Sequence, residues 1–361
     1  MARIDDRPRA RKGHGALSNP PPRFDLHQLS VVDDGWYQEE VPDSVATTLE
    51  PDRARGVITT NDSPDIPFEQ SINPYRGCST ACVYCYARPS HAYLGLSPGL
   101  DFETRLFYKA DAARVLEAEL SRPGYVCKPI MLGANTDPYQ PDERRTRVTR
   151  SILEVLERTR HPVAVISKHS LVLRDLDLLT SLARDGLVSV SISVTTLDDD
   201  LKRRLEPRAA SPAARVRTLA ALAAAGVPCG VMVAPVIPAL TDHEMEAILE
   251  ACAAAGAGWA GYVLLRLPHE VKDLFREWLA EHYPDRAAHV MSLIREMRSG
   301  RDNDPRFGSR MRGTGPYALL LRSRFKLACQ RLKLNSAARG SLDTTRFRPP
   351  GHAGAQLRLG L

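Results

Sequence analysis

NPYRGCSTACVYCYARPSH, residues 73–91, carries Cys78, Cys82 and Cys85 in a C-x3-C-x2-C spacing. The other four cysteines, Cys127, Cys229, Cys252 and Cys329, are scattered along the chain. Thiolates are soft ligands that select zinc, copper(I) or iron–sulfur clusters. A structural zinc site takes four protein ligands. Here the local candidate for a fourth is His91, and no remaining cysteine forms a second C-x-x-C pair. Three cysteines suffice for a [4Fe–4S] cluster that leaves one iron open to a ligand.

Outward from this stretch, the 361 residues have an ordinary globular composition, 43% hydrophobic and 25% charged. No run of 18 apolar residues occurs, so no membrane span is expected. The first residues lack the apolar stretch of a secretory signal, and seven unevenly spaced cysteines do not read as a disulfide framework. Both point to a reducing, cytoplasmic setting. Charge is uneven: residues 301–361 carry 13 Arg/Lys against 3 Asp/Glu, residues 1–23 carry 6 against 2, and the stretch between is net acidic. Basic ends on an acidic body suit a polyanionic partner such as nucleic acid. "RFKLACQRLKLN" (324–335) reads equally as a helix with a solvated basic face.

Residues 1–60 are rich in Pro, Arg and Asp with little periodicity, which predicts a flexible or loosely docked extension. Beyond them, short apolar runs (128–136, 162–168, 187–196, 227–238 and 259–268) alternate with helical patterns at 142–160, 174–185, 212–225 and 243–255. Gly186 and Gly226 stand where helix C-caps belong. "TDHE" (241–244) reads as a capping box. With a strand ahead of Cys78 there are six strand–helix units, which predicts a parallel sheet with right-handed crossovers. In "LVSVSISVTT" (187–196) valines and an isoleucine alternate with Ser189, Ser191, Ser193 and Thr195. A central strand of a doubly wound sheet is apolar on both faces, so the hydroxylated face predicts a barrel interior, the alternative being an edge strand in water. The expected organisation is an extension (1–60), a barrel core (61–270), a helical basic region (271–334) and a tail (335–361).

The cysteine spacing, with Tyr84 ahead of the last cysteine, resembles the signature of the radical S-adenosylmethionine (SAM) superfamily. The wider string is similar to an uncharacterised branch of that superfamily related to spore photoproduct lyase, over about residues 68–270. The resemblance implies an α/β fold, a partial (β/α)6 TIM-like barrel with the motif after its first strand. It further implies a [4Fe–4S] cluster on Cys78, Cys82 and Cys85, with SAM chelating the fourth iron. Reductive cleavage of SAM would then yield a 5′-deoxyadenosyl radical that abstracts hydrogen from a substrate. An electron donor such as a flavodoxin or ferredoxin is implied too.

Barrel sites lie at the C-terminal ends of the strands, and the resemblance places SAM contacts there. Asn135, Thr136 and Asp137 end the second strand, although "GANTDPYQ" departs from the Gly-Gly-Glu-like string found there in the superfamily. Asp137 is the candidate for the SAM amino group; it also suits a turn before Pro138. Lys168 is the candidate for the SAM carboxylate or a substrate anion. Ser191, Ser193 and Thr195 offer hydroxyls. Glu206 and Arg208 suit ribose hydroxyls and a carboxylate respectively, and Val233–Pro235 can flank adenine. Tyr84 and Tyr86 are candidates to shield the cluster. Cys229 and Cys252 sit in apolar patterns and read as packing, while Cys329 alone has an electropositive context that lowers a thiol pKa. Two function classes follow: a radical SAM enzyme acting on an unknown substrate, nucleic acid among the candidates, or a nucleic-acid-binding protein with a structural metal site.

Overall fold

The computed structural model describes residues 10–25, 45–336 and 342–351. Six parallel strands form its centre: β1 (Gln70–Ile72), β2 (Ile130–Leu132), β3 (Val163–Ser167), β4 (Val188–Ser193), β5 (Cys229–Val236) and β6 (Trp259–Leu264). They pair in chain order, with Gln70 opposite Ile130, Ile130 opposite Val163, Val163 opposite Val188, Val190 opposite Cys229 and Gly230 opposite Trp259. An order that never reverses belongs to a barrel; a doubly wound sheet turns back at a switch point. An antiparallel strand, Ile58–Thr60, covers the free edge of β1. Among the described residues nothing pairs it with β6, so the barrel is partial.

Helices α1 (Ala112–Leu120), α2 (Val148–Arg158), α3 (Leu176–Arg184), α4 (Pro212–Ala224) and α5 (Met245–Ala254) follow strands β1 to β5. Gly186 and Gly226 take φ of +70° and +73° just past α3 and α4, where a left-handed residue closes a helix. The helix expected over 142–160 is broken at Arg147, whose φ is +53°. That break lets the Glu143 carboxylate accept the Thr149 N–H at 3.0 Å and cap α2 from outside. The expected capping box at 241–244 does not form. Thr241 Oγ1 accepts the Ile237 N–H at 2.9 Å, and Glu244 instead accepts from the Thr196 hydroxyl (2.5 Å) and Leu197 N–H (2.7 Å). The loop after β4 has donors to satisfy and takes the carboxylate.

β4 is central and not an edge strand, lying between β3 and β5. Val188, Val190, Ile192 and Val194 join the main core, while Ser189, Ser191 and Ser193 are buried on the opposite face. The hydroxylated face that the sequence suggested is therefore turned inward, away from water.

Helices α6 (Val271–His282), α7 (Pro284–Glu296) and α8 (Gly315–Arg331) complete the fold. Val271, Phe275, Trp278 and Leu279 of α6 pack with Val290, Met291 and Ile294 of α7 on Cys82, Val83 and Tyr84. The basic helix α8 is partly neutralised by α5: Arg324 pairs with Glu246 at 2.7 Å and Arg331 with Glu250. Residues 10–25, within the segment expected to be loosely docked, pack closely, with Ala16 and Leu17 buried. Of the tail, 342–351 run back over the N-terminal ends of the strands, where Phe347 meets Tyr125 and His161 at 5.5 and 5.2 Å between rings. Residues 1–9 and 26–44 of the expected extension, and 337–341 and 352–361 of the region after α8, lie outside the described residues. Among the described residues no helix is long and apolar enough to cross a membrane.

Candidate cofactor site

The cysteine loop begins where β1 ends. Asn73 Oδ1 accepts the Asn135 N–H at 2.7 Å and ties the loop to the end of β2. Gly77 then turns the chain at φ +76°; a Cβ there would stand 2.8 Å from Leu106 Cδ2 and 3.0 Å from the Phe102 carbonyl. The Cys78 N–H donates to that same carbonyl at 2.9 Å, and the Val83 N–H donates to Leu205 O at 3.1 Å. Between them Ala81, fully buried, takes a left-handed φ of +61°. Ser79 is held by Gln140, whose Oε1 accepts its N–H at 2.7 Å, and by Asp142 at 2.6 Å. The loop is thus anchored at almost every residue.

Cys78 and Cys82 are each 7% exposed, and Cys85 is half-buried. Burial pushes all three thiols up: Cys78 to about 12, helped by the Asp137 charge, and Cys82 also against Glu206. Burial is opposed at Cys85 by the Ala87 and Arg88 N–H groups, and at Cys78 by Thr80 and the Asp137 N–H. Donors aimed at sulfur suit a bound thiolate, which gives up its proton when it takes a metal. His91 does not supply a fourth ligand. Its Nε2 donates to Arg105 O at 3.0 Å and its ring lies edge-on to Phe102. Cys127 and Cys229 sit before or at the starts of β2 and β5, at the other end of the sheet, and Cys252 is buried in α5. Among the described residues no three His, Cys, Asp or Glu side chains converge as they would on one ion. The donor set fits a cluster holding three cysteines and leaving a site open better than it fits a closed zinc site.

Beside Cys82 lies a buried network. Glu206 accepts from the Tyr84 hydroxyl, from Arg215 Nη2 and from Thr195 Oγ1 at 2.7 Å, and Lys168 Nζ stands 3.6 Å away. Burial alone would raise the Glu206 carboxyl, but the Arg215 and Lys168 charges and these donors hold it well below the usual carboxylate range. Arg215 also donates to Ala210 O and Ser193 O at 2.9 and 3.0 Å. Lys168 Nζ lies 5.9 Å over the Tyr84 ring and 3.4 Å from Ala234 O, in the stretch expected to flank adenine. Asp137 bridges β2 and β3: it accepts from Ser167 Oγ and the Lys168 N–H, both at 2.7 Å, and from the Tyr139 N–H at 2.9 Å.

The fold therefore brings Tyr84, Lys168, Ser193, Thr195 and Glu206 together, with Ser191 buried on the same strand face as Ser193. Arg208 is not among them. Its Nε donates to Gly13 O at 2.9 Å and its Nη1 to Thr47 Oγ1 at 3.3 Å. The arginine that meets Glu206 is Arg215, which sequence reasoning missed; its one signal was a lone buried-face charge in the alanine-rich helix α4. Tyr86 lies at the rim, half exposed, with Arg266 5.5 Å over its ring. The electropositive context of Cys329 does not lower its thiol: the side chain is buried, and burial pushes it up to about 11.

Comparison with known proteins agrees with this geometry. The family described as the Radical SAM superfamily matches residues 72–252. An uncharacterised protein of Mycobacterium tuberculosis is 40% identical over 232 residues, covering 64% of this chain and 68% of that one. A protein of Pseudomonas phage M6 named a radical SAM Nα-GlyT isomerase is 25% identical over 267 residues, 67% of this chain and 50% of its own. Spore photoproduct lyase, solved with a dinucleoside spore photoproduct, superposes with a TM-score of 0.56 over 79% of each chain at 17% identity, a likeness of fold. With its three-cysteine loop at the C-terminal end of the first strand of a partial barrel, the chain belongs to the radical SAM superfamily.

Proposed function

We propose that Cys78, Cys82 and Cys85 hold a [4Fe–4S] cluster and that the chain uses it to cleave SAM reductively. The observation that carries this reading is a hydrogen-bonded loop that places two buried thiols and one half-buried thiol within eight residues, with the nearby His91 turned to the Arg105 carbonyl. When bound, the two cofactors supply the one-electron chemistry and the hydrogen-abstracting radical; the electron comes from a donor such as a flavodoxin or ferredoxin. The chain's own residues position and enclose. Lys168, at the open side of the Glu206 network, offers its ammonium to the SAM carboxylate, and Ser191 and Ser193 offer hydroxyls to its polar groups. Asp137, with its carboxylate occupied by β3, holds the end of β2 against Cys78. Tyr84 is fixed by Glu206 and covers one side of the cluster. Seven free thiols suit a reducing compartment, the cytoplasm.

For the substrate we propose an anionic molecule, nucleic acid first. Among the described residues no carboxylate forms an ion pair with Arg266 at the rim; its guanidinium lies over the Tyr86 ring and 3.8 Å from Met311 Sδ, while the nearby Asp65 carboxylate is taken by Arg310. A guanidinium held between an aromatic ring and a sulfur suits a phosphate with a stacked base. The solved neighbour's dinucleoside ligand and the basic ends support the same class.

The test is anaerobic reconstitution with iron and sulfide, reduction in the presence of SAM, and quantification of 5′-deoxyadenosine. Four irons per chain and a product lost in Cys82→Ala are expected. One zinc per chain, no cluster and salt-steep DNA binding would instead make this a nucleic-acid-binding protein with a structural metal.

A further inference from the structure

The segment before the first strand is built into the cysteine loop from behind. Gly15 lies flat against it: a Cβ on Gly15 would stand 2.0 Å from the Ala81 carbonyl oxygen and 3.0 Å from the Val83 nitrogen, the two residues that flank Cys82. Only a residue without a side chain fits there. The segment is hooked on Glu103. One carboxylate oxygen accepts the Ala16 N–H at 2.8 Å; the other accepts the Gly15 N–H at 3.1 Å and His14 Nδ1–H at 3.2 Å.

Glu103 in turn faces Arg88, and both side chains are 0% exposed. Arg88 reaches the cysteine loop itself: its Nε donates to Cys82 O at 2.9 Å, while Nη1 donates to Pro98 O and Gly99 O at 3.1 and 2.9 Å. A second hook comes from the other side. Arg208 donates to Gly13 O and to His14 Nε2 (3.4 Å), and its own N–H reaches Thr80 O at 3.4 Å. Further along, Ser18 Oγ donates to Glu277 at 2.6 Å and anchors the segment on α6. Two buried charges of opposite sign, matched by fixed donors and acceptors, are costly to assemble unless every partner is present.

We propose that residues 13–17 are a fixed cover on the cysteine loop, with Arg88, Glu103 and Arg208 as positioning residues that hold Cys82 in shape for the cluster and keep water from it. The cover explains why Arg208 is drawn away from the Glu206 network, and it makes the region before β1 part of the cofactor site. The inference rests on the proposed function for the identity of what is covered, while the cover itself is testable without any cofactor.

Two variants of the full chain test it. Gly15→Val drives a side chain into the Ala81 carbonyl and lifts the segment; Glu103→Gln removes the counter-charge of Arg88. In the cofactor-free chain, alkylation of each cysteine by iodoacetamide is followed by peptide mass spectrometry. Cys82 should react at least about tenfold faster in both variants, because losing one or two buried hydrogen bonds shifts a local opening by that order. Cys252, buried in α5 far from the segment, is the internal reference: if it accelerates equally, the effect is general unfolding and the proposal fails. In the reconstituted chain, iron should be lost faster to a ferrous chelator in both variants. The cluster's midpoint potential should rise in Glu103→Gln, where the Arg88 charge is no longer offset. Unchanged Cys82 alkylation and iron-loss rates in folded variants overturn the proposal. Should Gly15→Val fail to fold, Arg208→Gln, which cuts the second hook from a half-exposed position, carries the same readouts. A parent chain that takes up no cluster sinks the proposed function, and the alkylation arm still decides the cover.

Discussion

Replacing Glu206 with Gln should destabilise the protein by about 3–5 kcal/mol, the cost of leaving one partner of a buried ion pair alone. The substitution keeps the shape and one acceptor oxygen, so the Thr195 and Tyr84 hydroxyls still find a partner. What it removes is the one carboxylate that, among the described residues, pairs with Arg215, a guanidinium 1% exposed that would keep the Ala210 and Ser193 carbonyls. A loss of that size is a large part of a typical stability of about 5–15 kcal/mol. Urea unfolding of the cofactor-free chain, followed by tryptophan fluorescence, measures it; Trp278 is buried beside Leu205 and donates to Arg204 O at 3.0 Å. Arg215→Met added to Glu206→Gln should recover much of the loss, since the orphaned charge is gone. Glu250→Gln, at the exposed pair with Arg331, should cost under about 1 kcal/mol. A Glu206→Gln cost below about 1 kcal/mol, or a double variant as unstable as the two singles summed, would refute the reasoning.

Three further outcomes are expected. Burial lowers His161 from 6.5 to about 4, so between those pH values the unfolded chain binds a proton that the folded chain refuses. Stability should therefore fall by up to about 3 kcal/mol as pH drops through that window and be flat in this group above it; urea series at pH 7.5, 5.5 and 4.5 should show the slope shrinking in His161→Asn. Gly77→Ala should cost about 1–3 kcal/mol, from its positive φ and the crowding at Leu106 and Phe102; a neutral melting temperature would count against the turn geometry. Cys329 should react with Ellman's reagent at pH 7.5 far more slowly than free glutathione, because its thiol is buried and raised to about 11. Rapid labelling of Cys329 in the folded chain would reverse that assignment.

Much of the barrel was legible because its signals are local. The alternation of Val and Ser along 188–194 is a period-2 pattern that one strand carries by itself, and the glycines ending α3 and α4 answer to backbone sterics within one turn. The capping box at 241–244 misled for the opposite reason. A Thr and a Glu three residues apart are free to cap only if no distant donor claims them, and the loop at Thr196 and Leu197 did. The N-terminal segment read as loose because it has no apolar periodicity; it docks through backbone N–H groups on a buried carboxylate 87 to 88 residues away, and backbone groups leave no trace in residue identity.

By itself the sequence determined the donor chemistry on offer and the strand rhythm. Three thiols within eight residues present soft donors, and side-chain alternation fixes which strand faces can be buried. Only the tertiary structure decided whether Arg208 or Arg215 would serve Glu206, that Asp137 would be spent on β3, and that Gly15 would lie on Ala81. Such pairings depend on which charged groups lose their water together. That desolvation is set by contacts between segments far apart in the chain, and no local pattern encodes it.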